Sequence, residues 1–225
     1  LNSKLQEQGT VTFVTGKGDE KLETKGSTDD GKAVYLDGVS WLSAGQGADG
    51  ELNIGGRGIT LFAKVKPDSL KEYSPVLGKS GNDQSVAYKI VLRRHDGEGT
   101  FIEALIGSND IAGAHLLKHK IPENEVLDWQ AIMFRFNGKK SELYVNGILR
   151  DEEITEGDLR QWNNHPVLIG AEFKEPYING DNAKNILKAT FKGWIDGIAV
   201  YNKYLEDDQA AALFGVAALQ NDGLP

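Results

Sequence analysis

Sugar rings stack on aromatic faces while neighbouring amides or acids fix their hydroxyls, and two stretches of the chain carry both parts. Arg160-Gln161-Trp162-Asn163-Asn164-His165 sets Trp162 beside Asn163 in a predicted loop, and Tyr177 lies near Asn179 in another. Trp162 reads as a sugar contact or as a loop anchor tucked against the edge of the fold. A second set is charged and carried on strands. If Leu61, Ala63 and Val65 turn inward, Lys64 and Lys66 turn outward, since successive strand residues face opposite ways. The same parity turns out Lys89 and Arg93 beside Tyr88, Ile90 and Leu92, and Arg135 beside Phe134 and Phe136. As neighbours in one sheet they would form a basic groove, interrupted by Glu103, suited to an acidic glycan through Arg–carboxylate or Arg–sulfate contacts. The alternative is an ordinary solvated sheet face.

Catalytic patterns are absent from the sequence. Glu103 is the carboxylate in the middle of a convincing strand, and its neighbours two residues away are Phe101 and Leu105. A lone carboxylate cannot serve as both acid and base or nucleophile in glycoside hydrolysis. His115 and His119 are spaced to pair on a helix, but their segment reads as no helix, and on a strand they lie ~13 Å apart. There is no Ser-His-Asp pattern and no phosphate-binding glycine loop; 55–58 (GGRG) is a flexible approach to a strand. Asn179-Gly180-Asp181-Asn182 has the oxygen chemistry of a calcium loop without its full ligand pattern, and reads as a turn.

The elements that must position these groups are mostly strands. Period-two alternation runs through Thr10 to Thr15, Ala33 to Leu36, Ile59 to Lys66, Val86 to Leu92 and Phe101 to Ile106. It continues in Ala131 to Phe136, Glu142 to Val145, Val167 to Ile169 and Thr190 to Tyr201. Asn137-Gly138 and Asn146-Gly147 supply the positive-φ residues of tight turns, so Ala131 to Leu149 reads as a three-stranded meander. One short helix is predicted over Glu206 to Phe214, with acids at its start and Gly215 at its end. Loops are expected over 16–30, 44–51, 79–85 and 173–185. Many strands and one helix predict an all-β, two-sheet antiparallel sandwich.

The 225 residues suit one sandwich domain spanning 1–225. A formal charge of −8 repels a phosphate backbone, which excludes nucleic acid as the expected partner. No apolar run approaches the roughly 18 residues of a membrane span. The absence of cysteine decides no compartment. The chain opens on Leu1 without Met and closes on a linker-like 221–225. The expectation is a piece of a larger protein with neighbouring domains.

Five segments carry a resemblance. Val34-Tyr35-Leu36-Asp37-Gly38-Val39 resembles an early strand of laminin-G-like sandwiches in the concanavalin A-like lectin/glucanase superfamily, which are jelly rolls. Ile59 to Pro67 and Pro75 to Ser80 are similar to the strands that come next. Asp128-Trp129-Gln130 leads into the Trp-led strand and hairpin, and Phe191 to Tyr201 with the acidic helix resembles the closing elements. The resemblance spans about 33–215. It implies a non-catalytic carbohydrate-binding or accessory domain of a secreted, periplasmic or surface protein. The laminarinase-like Glu-x-Asp-x-x-Glu and the lyase Gln-x-His are both missing. A hydrolase or lyase with an unfamiliar site, or a purely structural or protein-binding sandwich, is the alternative. It also implies a structural calcium, with Asp37 and Asp196 the matching ligands unless each merely opens an Asp-Gly turn. Trp129 and Trp194, set in strand motifs, are expected in the core.

Overall fold

The computed structural model describes residues 33–44, 52–80, 86–109, 113–161, 165–173 and 187–221, with short strands at 14–15 and 24–25. In chain order the strands are β1 (Val14–Thr15), β2 (Thr24–Lys25), β3 (Ala33–Asp37), β4 (Leu42–Ala44), β5 (Ile59–Ser69) and β6 (Tyr73–Ser80). Next come β7 (Val86–His95), β8 (Gly99–Ile106), β9 (His115–Ile121), β10 (Gln130–Phe136), β11 (Lys140–Val145) and β12 (Ile148–Ile154). The series closes with β13 (Val167–Ile169), β14 (Ala171–Phe173), β15 (Leu187–Thr190), β16 (Lys192–Tyr201), helix α1 (Asp207–Phe214) and β17 (Gln220–Asn221).

Seven strands form one sheet in the order β1-β4-β13-β6-β7-β8-β9, and eight form the other in the order β17-β12-β11-β10-β5-β16-β3-β2. Pairing is antiparallel except between β12 and β17. Tyr88, Ile90, Leu92, Ile102 and Ala104 of the first sheet meet Leu61, Val65, Ile132, Phe134 and Leu143 of the second in one buried core. These are the apolar positions that alternation assigns to one face of each strand, so the hydrophobic effect closes the two sheets on each other. The predicted all-β sandwich is the observed architecture.

The 131–149 meander is β10, β11 and the start of β12. Asn137 caps its first turn by accepting the N–H groups of Lys139 and Lys140, and Asn146 and Gly147 carry φ of 53° and 81° in the second. The helix begins one residue later than predicted, because Glu206 is its N-cap, and ends at Gly215 with φ 69°.

Other boundaries differ. Thr190 to Tyr201 is not one strand: Phe191 separates β15 from β16, bonding its N–H to the Gly170 carbonyl. His115–Ile121 is an edge strand, hidden in sequence by its alternating charges. Lys79 and Ser80, expected in a loop, end β6. Of Thr10 to Thr15, Val14 and Thr15 are strand and the remainder lies outside the described residues. Trp129 and Trp194 are half-buried rather than in the core. Trp194 pairs across to Lys66, one position from core-facing Ile195 and Val65, so it takes the opposite face.

One glycine redirects the chain at the rim of the first sheet. Gly170, at φ 76°, ends β13 and turns the chain out of the seven-stranded sheet, so that β14 pairs with β15 instead. A Cβ here would sit 2.1 Å from Leu36 Cδ1, so any side chain must push aside a buried leucine and strain the positive-φ backbone.

Candidate functional site

The outer face of the seven-stranded sheet carries a charged cluster. Tyr73 of β6 pairs with Arg93 of β7, which pairs with Phe101 of β8. Two residues along β7, Val91 lies between Pro75 and Glu103. Two further along, Lys89 lies between Gly78 and Leu105. Strand parity turns all these side chains away from the core that holds Tyr88, Ile90 and Leu92.

Lys89 is nonetheless only 1% exposed. Its side chain is crowded against Gly78, where a Cβ would stand 2.6 Å from Lys89 Cβ. Lys89 Nζ donates to the Tyr73 hydroxyl at 3.0 Å and approaches Glu172 Oε2 at 3.4 Å. Glu172 sits on β14, which the Gly170 turn has brought over β6. It accepts a short hydrogen bond from Tyr73 and another from Lys188 at 3.1 Å.

Glu103 anchors the other side. Arg93 Nε lies 3.2 Å from its Oε2 and His95 Nε2 lies 2.7 Å from its Oε1. The Tyr73 ring joins the halves: Arg93 lies 4.8 Å and Lys188 4.6 Å from its centroid, within cation–π range. His95 meets Phe101 edge-on at 5.2 Å.

The vertical order of the charges decides what the cluster can do. Glu103 and Glu172 are buried at 1% and 3%, whereas the side chains of Arg93 and His95 keep 23% and 35% of their exposure. The carboxylates work from beneath as ties, and the Arg93 and Lys188 cations with the Tyr73 ring face outward. Such a surface suits an anionic or hydroxyl-rich ligand with an apolar face.

Of the candidates read from sequence, Lys89, Arg93 and Glu103 come together here. Lys64, Lys66 and Arg135 do not, because β5 and β10 belong to the other sheet. Arg135 is 2% exposed and wholly engaged beneath α1. It donates to Glu142 at 2.7 Å, the Leu205 carbonyl at 2.9 Å, Tyr144 at 2.9 Å and Asp207 at 2.6 Å, between the rings of Tyr144 and Tyr204. Burial works to lower its pKa, but the Asp207 hydrogen bond and the Glu142 charge outweigh it, so the net shift is upward. Arg135 fastens the helix to the sheet. Trp162, Asn163 and Tyr177 lie outside the described residues, as does 179–182.

Asp37 and Asp196 are apart. Asp37 stands opposite Lys192 and Asp196 four residues further along β16, a separation of ~13 Å along a strand. Asp37 Oδ1 accepts the N–H groups of Val39 and Ser40; against the upward push of burial, these bonds hold its pKa below the usual value. Asp196 Oδ1 accepts from Gly197. As ligands of one shared calcium the two do not fit. Among the described residues no group of three or more His, Asp or Glu is placed to hold a metal ion. His115 and His119 lie on β9; burial, then Arg150, holds the His119 pKa down against Asp151.

Sequence reasoning missed Tyr73, Glu172, Lys188 and His95. Glu172 is separated from Tyr73 by 99 residues and reaches it through a turn at Gly170, so no local spacing joins them. For Tyr73 and His95, alternation in Tyr73–Ser80 and Val86–His95 carried the usable signal.

No helix among the described residues is long and apolar enough to cross a membrane. No curated protein matches the chain. Solved structures do match, at identities that carry the fold alone. Domain 4 of AbnA, an extracellular GH43 arabinanase from Geobacillus stearothermophilus, solved with arabinotriose, aligns at TM-score 0.58 and 18% identity, covering 91% of this chain and 86% of that one. A SAP-like pentraxin from Limulus polyphemus aligns at TM-score 0.53 and 11% identity over 89% and 85%. The botulinum neurotoxin serotype D ligand-binding domain, solved with N-acetylneuraminic acid, aligns at TM-score 0.57 and 13% identity. The match covers 91% of this chain but 46% of that domain, so the chain spans under half of the toxin domain's length. The family pattern of laminin G type matches residues 43–211, most of the chain and both sheets, and with this fold the chain belongs to the concanavalin A-like lectin/glucanases superfamily.

Proposed function

We propose that the chain is a non-catalytic carbohydrate-recognition domain that binds an acidic glycan on the outer face of the seven-stranded sheet. One observation carries this reading. Buried Glu103 ties Arg93 and His95, buried Glu172 ties Lys188, and the Arg93 and Lys188 cations lie against the Tyr73 ring. Arg93 suits a uronate or sulfate group, and Tyr73 offers a face for the sugar ring. Two structural relatives support it, one solved with arabinotriose and one with N-acetylneuraminic acid. The extracellular arabinanase is also the context for placing the domain in a secreted glycan-processing protein.

The test is a glycan array probed first with calcium and then with chelator. Uronic or sulfated glycans bind, and Arg93→Ala lowers their binding about tenfold or more, as loss of one charge-assisted contact does. Loss of binding with chelator places a calcium ion at or beneath the site, with ligands beyond the Asp37 and Asp196 pair. Silence across the array overturns the reading and favours an architectural domain. A second reading has one observation behind it: Tyr73 is wired between Glu172 and Lys89, as an acid–base group would be. It predicts turnover of the bound glycan, visible as new chain ends, and loss of that turnover in Tyr73→Phe.

A further inference from the structure

The outer face of the eight-stranded sheet is divided between two kinds of surface. One half is covered: Phe62, Met133, Tyr144, Leu149, Leu205 and Ala210 pack together, and Phe214 of α1 meets Phe62 edge-on at 5.4 Å. Past Phe62 on β5 the same parity turns out Lys64 and then Lys66, both half-buried.

Aromatic residues stand in a row here. Lys66 is the register partner of Trp194 on β16, and Trp194 is the partner of Tyr35 on β3. Gln130, the first residue of β10, pairs with Val65, and Trp129 precedes it in the chain at the Lys66 end of that pairing. The row Tyr35–Trp194–Lys66 crosses two strand spacings, ~10 Å, with Trp129 at the start of the next strand. Tyr35 and Trp194 have ring centroids 4.9 Å apart at an interplanar angle of 53°. All four residues are half-buried, so none is consumed by the core.

The backbone aims this row. β16 shifts register between Lys192 and Gly193, just before Trp194, and again between Asp196 and Ala199. Such bulges re-aim side chains and bend a strand. Gly193, at φ 143°, permits the first one, since a Cβ there would lie 2.3 Å from the Lys66 carbonyl oxygen.

The polar neighbours select the occupant. The Tyr35 hydroxyl donates to exposed Asp68 at 2.7 Å, and Asp196 stands opposite Lys64 in the next row. An apolar protein surface or a lipid would strip water from these charged groups, at several kcal/mol or more. A sugar chain presents C–H faces to the rings and hydroxyls to the acids and ammonium groups. Lysines and aspartates alternate here, unlike the cation-fronted cluster on the opposite sheet, so the surface has no preference for an anion. We propose that Tyr35, Trp194 and Trp129 form a second carbohydrate site, for a neutral oligosaccharide, on the sheet opposite the cationic cluster. It stands independently of the acidic-glycan reading, because the two sites share no residue.

The experiment is titration calorimetry of the full chain with neutral arabino-, xylo-, manno- and gluco-hexaoses. At least one binds; Trp194→Ala weakens it about tenfold, the worth of one stacked ring. Trp194→Phe keeps most of the affinity, and Arg93→Ala changes it by less than about twofold, as distant sites act additively. Absence of binding by every hexaose overturns the proposal. So does a neutral ligand lost with Arg93→Ala and kept with Trp194→Ala, which would assign it to the first sheet. If Trp194→Ala lowers the melting transition enough to unfold the chain, Trp129→Ala replaces it under the same two criteria.

Discussion

Lys79 and Lys89 lie near each other on adjacent strands and meet opposite environments. Lys89 pairs with Gly78 and takes the outer face, where Tyr73 and Glu172 receive it. Lys79 pairs with Tyr88 and shares its inward face, where its Nζ donates to the His165 carbonyl at 2.5 Å. Burial pushes the Lys79 pKa down from 10.5 to about 8. Below about 8 both folded and unfolded chains hold the proton, and folding bears the full cost of the buried charge. Between about 8 and 10.5 only the unfolded chain holds it, so stability rises with pH through that window. Urea unfolding across this range should show the rise, and Lys79→Met should flatten it. Equal slopes in both proteins would mean that Lys79 is solvated. The sequence marked Lys89 and Arg93 as outward by parity, but it had no means of telling a lysine beside a glycine and a distant glutamate from one bathed in water.

At the scale of elements, α1 was legible almost to the residue. Acids at its start, an apolar interior and Gly215 at its end are local signals for a local structure. What holds it to the sheet was not legible. Arg135 comes from β10, 72 residues before Asp207, and its parity was read correctly while its sheet was not. Arg135→Ala should destabilise the fold by about 3–5 kcal/mol, because Glu142 is left buried with weaker partners. Arg135→Lys should rescue little, since an ammonium cannot supply the planar fork that reaches Glu142, Tyr144, Leu205 and Asp207. Hydrogen exchange at Asp207–Phe214 separates helix undocking from general destabilisation: exchange that speeds up by a larger factor there than in β7 and β8 is the expected pattern. Uniform change across the sheets would refute a fastening role.

The whole molecule is acidic, with a formal charge of −8, yet one sheet fronts a cationic cluster and the other an aromatic row among charges of both signs. These faces should respond differently to salt. Exposed charge interactions are screened over ~8 Å at physiological ionic strength. Binding of an acidic glycan should therefore weaken steadily as salt is raised, while neutral-hexaose binding should barely move. Salt-insensitive binding of both classes would argue that Arg93 and Lys188 make no ionic contact with ligand.

By itself the sequence determined the alternating strands, the Asn-Gly turns, the capped helix, the missing paired carboxylates and the resemblance to concanavalin A-like sandwiches. Each is written within a few residues, because strand parity, turn conformation and capping depend on near neighbours. Tertiary structure alone decided that Lys89 and Arg93 share a face with Glu172, that Arg135 and Lys66 belong to the other sheet, and that Trp194 stands beside Tyr35. Those facts come from strand order and register, which are set by pairing between segments far apart in the chain. The period of two says that a residue faces one way or the other. It leaves open what lies across the gap.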